Sequence, residues 1–212
     1  MSMTQVIKKH LQPAGVQKDA LNIFKARGGI LRTVEILKEG IHPRTLYAME
    51  KTGIIVRLGR GMYRLSDRPP LENPDFVMVA KKVPKGVICL ISALSYHHLT
   101  TQIPHEVYLA IPRGSEYPRL EHPPIRIFQM AKTALKEGIE IHVMDDVPVR
   151  IYCPEKTIAD CFKFRNRIGM DTTLEALRFY RERKKRKTGD LMHYASICRV
   201  SEVMRPYLEA IL

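Results

Sequence analysis

The apolar residues in the first part of the chain recur at helical spacing. Over residues 16–26 they lie three or four positions apart, which predicts a helix that the pair Gly28-Gly29 ends. A second helix is predicted next and closes at Gly40. Its apolar stripe is expected to consist of Ile30 or Leu31, Val34 and Leu37. The chain is therefore expected to begin with two amphipathic helices.

A third, shorter helix is predicted to begin at Pro43, because the N–H that proline lacks would have no partner at the first helical position. Leu46 and Met49 fall on one face of this helix, and Gly53 ends it. The residues on its polar face are Arg44, Tyr47 and Lys51. We expect this helix to bury one side and to expose a basic one.

Two short apolar runs after the third helix predict a β-hairpin. They occupy residues 54–58 and 62–65 and flank the sequence Gly-Arg-Gly, a connection suited to a tight turn. The cations of the hairpin are Arg57, Arg60 and Arg64. A basic helix followed by a basic hairpin favours the recognition helix and wing of a winged helix-turn-helix. A compact three-helix unit without a ligand is the alternative, but it does not account for these basic residues.

The position of each polar side chain on the third helix and hairpin predicts a separate role in DNA binding. Arg44 and Tyr47 are expected to contact base edges, where a bidentate arginine–guanine pair contributes roughly 1–3 kcal/mol of discrimination. Lys51 lies later on the same face and is expected to contact phosphate. Arg60, at the tip of the hairpin, is expected to reach a minor groove or the backbone. The residues expected at the flanking phosphates are Arg57 and Arg64.

A polar segment with three prolines, residues 66–74, is the expected domain boundary. Beyond it the pattern alternates between helices and strands. Helices are predicted at residues 75–82, after the capping residues Ser92 and Asp171, and after Pro154, Asp190 and Ser201. Strands are predicted at residues 87–91, 106–111, 125–130, 139–144 and 147–152, and alternation along residues 106–111 predicts a half-buried strand. We therefore expect an α+β protein with a winged helix-turn-helix at residues 1–68 and a mixed α/β domain at residues 75–212.

The charge of the chain is concentrated at its two ends. The 212 residues carry a formal net charge of +13. Residues 1–68 hold 13 Lys and Arg against five Asp and Glu, residues 69–163 hold 11 of each, and residues 164–212 hold 11 against six. A polyanion is the expected partner, since each neutralised phosphate releases a counterion. A basic surface without a ligand is the alternative.

One run of charge, RERKKRK at residues 181–187, leaves two interpretations open. It extends a helix whose apolar stripe ends near Tyr180, so it can be a solvated helix end whose cations complement the helix dipole. It can equally form a second basic surface for DNA, RNA or an acidic protein. Its cations are Arg181, Arg183, Lys184, Lys185, Arg186 and Lys187.

The sequence contains no spacing typical of a catalytic or metal site. Of eight histidines, the adjacent His97 and His98 would point in different directions from a helix, and no HExxH motif occurs. Gly114-Ser115 lacks the two nearby carboxylates with which a nucleotidyltransferase holds magnesium. The four cysteines lie in apolar contexts without a CxxC motif, so buried thiols are expected. We expect no catalytic residue, no metal and no cofactor.

The hydropathy pattern predicts no association with a membrane. No apolar run approaches the length of a membrane span. The first residues, MSMTQVIKKHLQP, lack the apolar centre of a signal peptide. We therefore expect a soluble cytoplasmic protein.

Several stretches of the chain resemble one known family. The segment GILRTVEILKEGIHPRTLYAMEKTGIIVRLGRGMYRL resembles the winged helix of AbiEi-type antitoxins. Farther on, ISALSYHHLT, EVYLAIPRG and VRIYCPEKTIADCFKFRNRIGMDTTLEALRFY resemble the C-terminal domain of that family. The resemblance gives the wing role to Arg57, Arg60 and Arg64. The DNA-reading residues that it implies are Arg44, Thr45, Tyr47 and Lys51.

The resemblance implies an antitoxin of a type IV toxin–antitoxin system, which is not an enzyme. Such a protein binds double-stranded operator DNA and represses its own operon through the winged helix. Through its C-terminal domain it counteracts a nucleotidyltransferase-like toxin, and direct binding to that toxin is not required. The alternative is a repressor of the same architecture whose C-terminal domain senses another signal or dimerises. An enzyme acting on nucleic acid is disfavoured, because the carboxylate pair is missing.

Overall fold

The structure, a computed structural model, describes residues 15–211 and divides into two compact units. The first unit runs to Glu72 and the second begins at Asn73. Both contain α-helices and β-strands, so the prediction of a mixed α and β protein is confirmed. The expected polar start of the chain, residues 1–14, lies outside the described residues.

The first unit combines three helices with a small antiparallel sheet. Its elements are α1 (Gly15–Ala26), β1 (Ile30–Arg32), α2 (Thr33–Lys38), α3 (Pro43–Lys51), β2 (Ile55–Gly59) and β3 (Met62–Leu65). The strand order is β1-β3-β2, so the hairpin β2–β3 gains a third strand from the chain before α2. The buried core residues of this unit include Phe24, Ile36, Leu46, Met49 and Ile55.

The second helix differs from its prediction. Residues 30–32 form strand β1, because their backbone pairs with β3 in a contact that helical periodicity along the chain cannot reveal. The helix that follows has only six residues. Val34 and Leu37 are 59% and 45% exposed, whereas Ile36 is fully buried. The predicted apolar stripe was therefore wrong, and α2 reaches the core through a different residue.

The second unit is built on a five-stranded mixed sheet. Its elements are α4 (Pro74–Lys82), β4 (Val87–Ile88), α5 (Leu90–Tyr96), β5 (Val107–Pro112), β6 (Ile125–Met130), α6 (Lys132–Lys136), β7 (Ile139–Met144), β8 (Val147–Tyr152), α7 (Pro154–Lys163), α8 (Arg165–Ile168), α9 (Met170–Glu182), α10 (Thr188–Cys198) and α11 (Ser201–Ile211). The strand order is β6-β5-β4-β8-β7. The pairs β5–β6 and β4–β8 are parallel, whereas β4–β5 and the hairpin β7–β8 are antiparallel.

Tertiary hydrogen bonds overturned one local prediction near the centre of the sheet. The strand expected at residues 87–91 ends at Ile88, and α5 begins at Leu90. Ser92 therefore lies inside the helix and does not cap it. Its Oγ accepts a hydrogen bond from the backbone N–H of Tyr108 at 2.9 Å and so joins α5 to β5.

The predictions of a half-buried β5 and of an Asp171 cap were also wrong. Strand β5 is buried at every position except Pro112, because it lies inside the sheet with both faces covered. The expected half-buried alternation is therefore absent. Helix α9 has Gly169 as its N-terminal cap, and Asp171 stands in the first turn. A carboxylate there still complements the positive end of the helix dipole.

An ion pair lies in the core of the second unit. Lys156 Nζ is 2.5 Å from Asp160 Oδ2 within α7, and the two side chains are 0% and 1% exposed. The Cys198 Sγ of α10 is 3.2 Å from Asp160 Oδ1 and donates to it. The Lys156 ammonium also lies over the Tyr152 ring, 4.3 Å from its centroid. Each buried charge thus has a charged partner and a further polar or aromatic neighbour.

We predict that Lys156→Met lowers the free energy of unfolding by about 3–5 kcal/mol, since it leaves the Asp160 carboxylate buried without a cation. The double variant Lys156→Met, Asp160→Leu is expected to recover most of this loss, because it removes both charges. Denaturant unfolding followed by circular dichroism measures the free energy of unfolding of each variant. A double variant no more stable than the single one would contradict the prediction.

Candidate nucleic-acid interface

A local cap positions the start of α3. His42 precedes the helix, and its Nδ1 accepts a hydrogen bond from the backbone N–H of Arg44 at 3.1 Å. Pro43 occupies the first helical position. At the other end, the Thr52 hydroxyl donates to the carbonyl of Ala48 at 2.8 Å. These bonds set the limits of the helix and therefore decide which side chains share a face.

The two faces of α3 differ sharply in exposure. Leu46 and Met49 are buried in the core of the first unit. On the opposite side, Tyr47 is 75% exposed. The remaining predicted DNA-reading residues of this helix are Arg44 and Lys51, which are exposed, and Thr45, which is half-buried. The spacing of the helix brings Arg44, Tyr47 and Lys51 to one outward surface.

The hairpin presents two exposed arginines. Arg57 lies in β2, and its Nε donates to the carbonyl of Gly59 at 3.3 Å across a register shift between these two residues. Arg60 occupies the turn and is exposed. The carbonyl of Gly61 accepts a hydrogen bond from the backbone N–H of Thr33 at 2.9 Å. The tip of the hairpin is therefore tied to the start of α2.

Arg64 has a different environment from the other two hairpin arginines. It lies in β3, the central strand of the small sheet, and is half-buried. Its Nη1 donates a hydrogen bond to the carbonyl of Pro69, in the segment that follows the hairpin. The guanidinium thus braces that segment.

The basic run at residues 181–187 is mostly a loop. Helix α9 ends at Glu182, so only the first two of these residues are helical, and the rest lead into α10. Arg186 Nη1 donates to the carbonyl of Arg181 at 2.7 Å. The other cations of the run line a cleft of about 420 Å³, and they are Arg183, Lys184, Lys185 and Lys187.

Four titratable residues that sequence reasoning did not select as site residues also line this cleft, together with Pro154. They are His97, Glu140, His142 and Glu155. They come from the end of α5, from the edge strand β7 and from the first turn of α7. The spacing along the chain gives no signal that these residues meet, because β5, β6, α6 and β8 lie between them in the sequence. Only the pairing of β7 with β8 and the packing of α5 on α7 bring them together.

The polar groups of the cleft are already ordered by hydrogen bonds. His97 Nε2 donates to the carbonyl of Tyr152 at 2.7 Å. Burial lowers the pKa of His97 below its usual range, and the Arg183 charge acts in the same direction. His142 Nε2 donates to Glu140 at 3.2 Å, while His142 Nδ1 accepts from the hydroxyl of Tyr96 at 3.0 Å. Because its pKa is lowered, His97 is a neutral imidazole at pH 7.

A buried tyrosine holds the basic loop against α7. The Tyr180 hydroxyl donates to Glu155 Oε1 at 2.9 Å and accepts from the backbone N–H of Lys187 at 2.8 Å. Tyr180 is fully buried, and burial raises its pKa above the usual range. The hydroxyl therefore remains protonated and keeps both hydrogen bonds.

Residues 15–211 contain no feature typical of a metal site or a membrane span. The four cysteines are free and buried, as predicted. No group of three or more His, Cys, Asp or Glu side chains in this part of the chain is arranged to hold a metal ion. None of its helices combines the length and the apolar character that crossing a bilayer requires.

The first unit matches a known family. Residues 18–66 fit the family described as "Transcriptional regulator, AbiEi antitoxin". No curated protein matches the chain. Among solved structures, the fold is similar to the crystal structure of the RV2827C protein from Mycobacterium tuberculosis, with a TM-score of 0.54 over 93% of this chain and 82% of that chain, at 9% sequence identity. That likeness concerns the fold alone. The predicted resemblance to the AbiEi antitoxin family of transcriptional regulators is thus confirmed for residues 18–66.

Proposed function

We propose that the first unit is a winged helix-turn-helix that binds double-stranded operator DNA. Helices α2 and α3 would form the helix-turn-helix, joined by four residues that include Gly40. The hairpin β2–β3 would form the wing. In this assignment residues 1–68 are the DNA-binding domain and residues 75–212 the antitoxin domain. The family matched by residues 18–66 is one of transcriptional regulators, which supports the proposal.

The observation that carries this proposal is the division of α3 into two faces. Leu46 and Met49 anchor the helix in the core, so their burial fixes its rotation. That rotation leaves Arg44, Tyr47 and Lys51 outward, where a major groove could receive them. A helix that served only the fold would not need an outward face with two cations and a 75% exposed tyrosine.

Each exposed side chain receives a role from its place on this surface. Arg44 and Tyr47, in the first two turns of α3, would contact base edges, with Thr45 beside them. Lys51, at the end of the helix, would contact phosphate. Arg57 and Arg60 would contact the backbone on the wing side. Arg64 would support the wing through its hydrogen bond to Pro69.

We propose that the protein regulates the operon that encodes it. In this scheme the chain is the non-enzymatic antitoxin of a type IV system and opposes a nucleotidyltransferase-like toxin encoded beside it. The antitoxin role falls on the second unit. The matched family joins transcriptional regulation with an antitoxin in its description, which supports both halves of the scheme.

A repressor without a toxin is the second candidate. The cleft in the second unit favours it, since a cleft of about 420 Å³ lined by charged groups could hold a regulatory ligand. The identity of the adjacent gene separates the two candidates. A nucleotidyltransferase-like neighbour supports the antitoxin, and a neighbour of unrelated class favours the sensing repressor.

We predict that Arg44→Ala weakens binding to the upstream operator duplex by about 1–3 kcal/mol, because a base contact is lost. Binding to an unrelated duplex should change much less. Fluorescence anisotropy measures the affinity for each duplex, and the ratio of the two affinities gives the specificity. Lys25→Ala, which removes an exposed cation from α1, is the matched control and should preserve specificity. Equal losses on both duplexes would contradict a base-reading role for Arg44.

We predict that Arg60→Ala weakens binding to both duplexes alike, since a backbone contact carries no sequence information. Titrations over a series of salt concentrations should show the slope of log affinity against log salt falling by about 1. An unchanged affinity with an unchanged slope would remove Arg60 from the interface.

We predict that co-expression of the full chain restores growth to cells that express the neighbouring toxin. A variant carrying both Arg44→Ala and Arg60→Ala should protect equally well while losing repression of an operator–reporter fusion, because the antitoxin role is assigned to the other unit. Protein levels are compared by immunoblotting. Continued growth arrest with the wild-type chain would exclude the antitoxin role, and loss of protection in the stable variant would show that the two roles are not separate.

A further inference from the structure

The cleft beside the basic loop has the charge of an anion-binding site. Four cationic side chains line it, Arg183, Lys184, Lys185 and Lys187, against two carboxylates. Among the described residues, no carboxylate lies within ion-pair distance of the first three cations. Lys187 is 3.9 Å from Asp190, but both side chains are mostly exposed, so this pair is weak.

Both carboxylates of the cleft are occupied by other partners. Glu155 accepts the hydroxyl hydrogen of Tyr180, and Glu140 accepts from His142. These hydrogen bonds fix the orientation of the carboxylates but leave their two negative charges in place against the four positive ones. The cations of the loop have no comparable partner, so an incoming anion would meet an excess of positive charge.

The loop is held in place before any ligand arrives. The backbone of Lys187 is bonded to the buried Tyr180, which is bonded in turn to Glu155 of α7. Arg186 closes the loop through the carbonyl of Arg181. Because the backbone of the loop is already anchored, ordering it costs less conformational entropy when a ligand binds.

The arrangement of the cations fits phosphate better than a carboxylate. A carboxylate carries one charge, whereas a pyrophosphate or triphosphate group carries several and offers many acceptor oxygens to ammonium and guanidinium donors. The amino end of α7 also reaches the cleft at Pro154 and Glu155, and its dipole adds to the positive potential. The cleft is open to solvent, so a phosphate group could reach these cations directly.

We propose that this cleft binds the terminal polyphosphate of a nucleotide or of an RNA 5′ end. Arg183 and Lys185 would hold the phosphate oxygens, with Lys184 and Lys187 at the rim. The proposal does not depend on DNA binding by α3, because every residue of the cleft belongs to the second unit. A free nucleotide and an RNA end share this chemistry, and the experiment distinguishes them.

The test measures binding to the full chain by calorimetry at physiological salt. The probes are sodium tripolyphosphate, ATP, and one RNA decamer prepared with a 5′-triphosphate or with a 5′-hydroxyl. We expect saturable binding of tripolyphosphate, and an affinity of the triphosphate RNA at least tenfold above that of the hydroxyl RNA if the ligand is an RNA end. Preference for ATP over both RNAs identifies a free nucleotide.

Variants test whether the cleft is responsible. Arg183→Ala, Lys185→Ala should weaken tripolyphosphate binding at least tenfold, and so should Lys184→Glu, Lys185→Glu, which alters only exposed side chains. The control Lys132→Ala, Lys136→Ala removes two exposed lysines of α6 and should bind as the wild type does. Absence of tripolyphosphate binding, equal losses in cleft and control variants, or equal affinity for the two RNAs without ATP binding would each overturn the proposal.

Discussion

The core of the second unit is constrained by the ion pair that Lys156 and Asp160 form inside α7, because either charge buried there without the other would be strongly destabilising. Two charges removed from water are tolerated only when each has a partner in good geometry. Asp160 finds one in Lys156 and another in the thiol of Cys198, and Lys156 also faces the ring of Tyr152. The pair therefore contacts α10 through Cys198 and the end of β8 through Tyr152.

The packing around this pair leaves little freedom for α7. Gly138 lies so close that a side chain there would place its Cβ 2.5 Å from Lys156 Cβ, and its φ of +70° also favours glycine. Its carbonyl accepts a hydrogen bond from the backbone N–H of Cys153, just before the helix. A fixed α7 places Glu155 where it can bond Tyr180 and so anchor the basic loop.

The two basic regions of the chain arise in different ways. On α3, burial of Leu46 and Met49 turns the cations outward, so the pattern of one short segment creates the surface. At residues 181–187 the helix ends at Glu182, and the cations surround a cleft because Tyr180, bonded to the distant Glu155, holds their loop. The two interpretations of this run, a solvated helix end and a second basic surface, therefore both stay predictions, although α9 contains only the first two of its residues.

The sequence by itself determined the local features of this protein. Helical spacing predicted the buried and polar faces of α3, and glycine placement predicted the hairpin turn, because both effects act within a few residues. Tertiary structure decided the rest. Residues 30–32 became a strand through pairing with β3, and His97, Glu140 and Glu155 met Arg183 only through sheet pairing and helix packing. Contacts between residues far apart in the chain leave no periodic signal, so the cleft became visible only in the folded molecule.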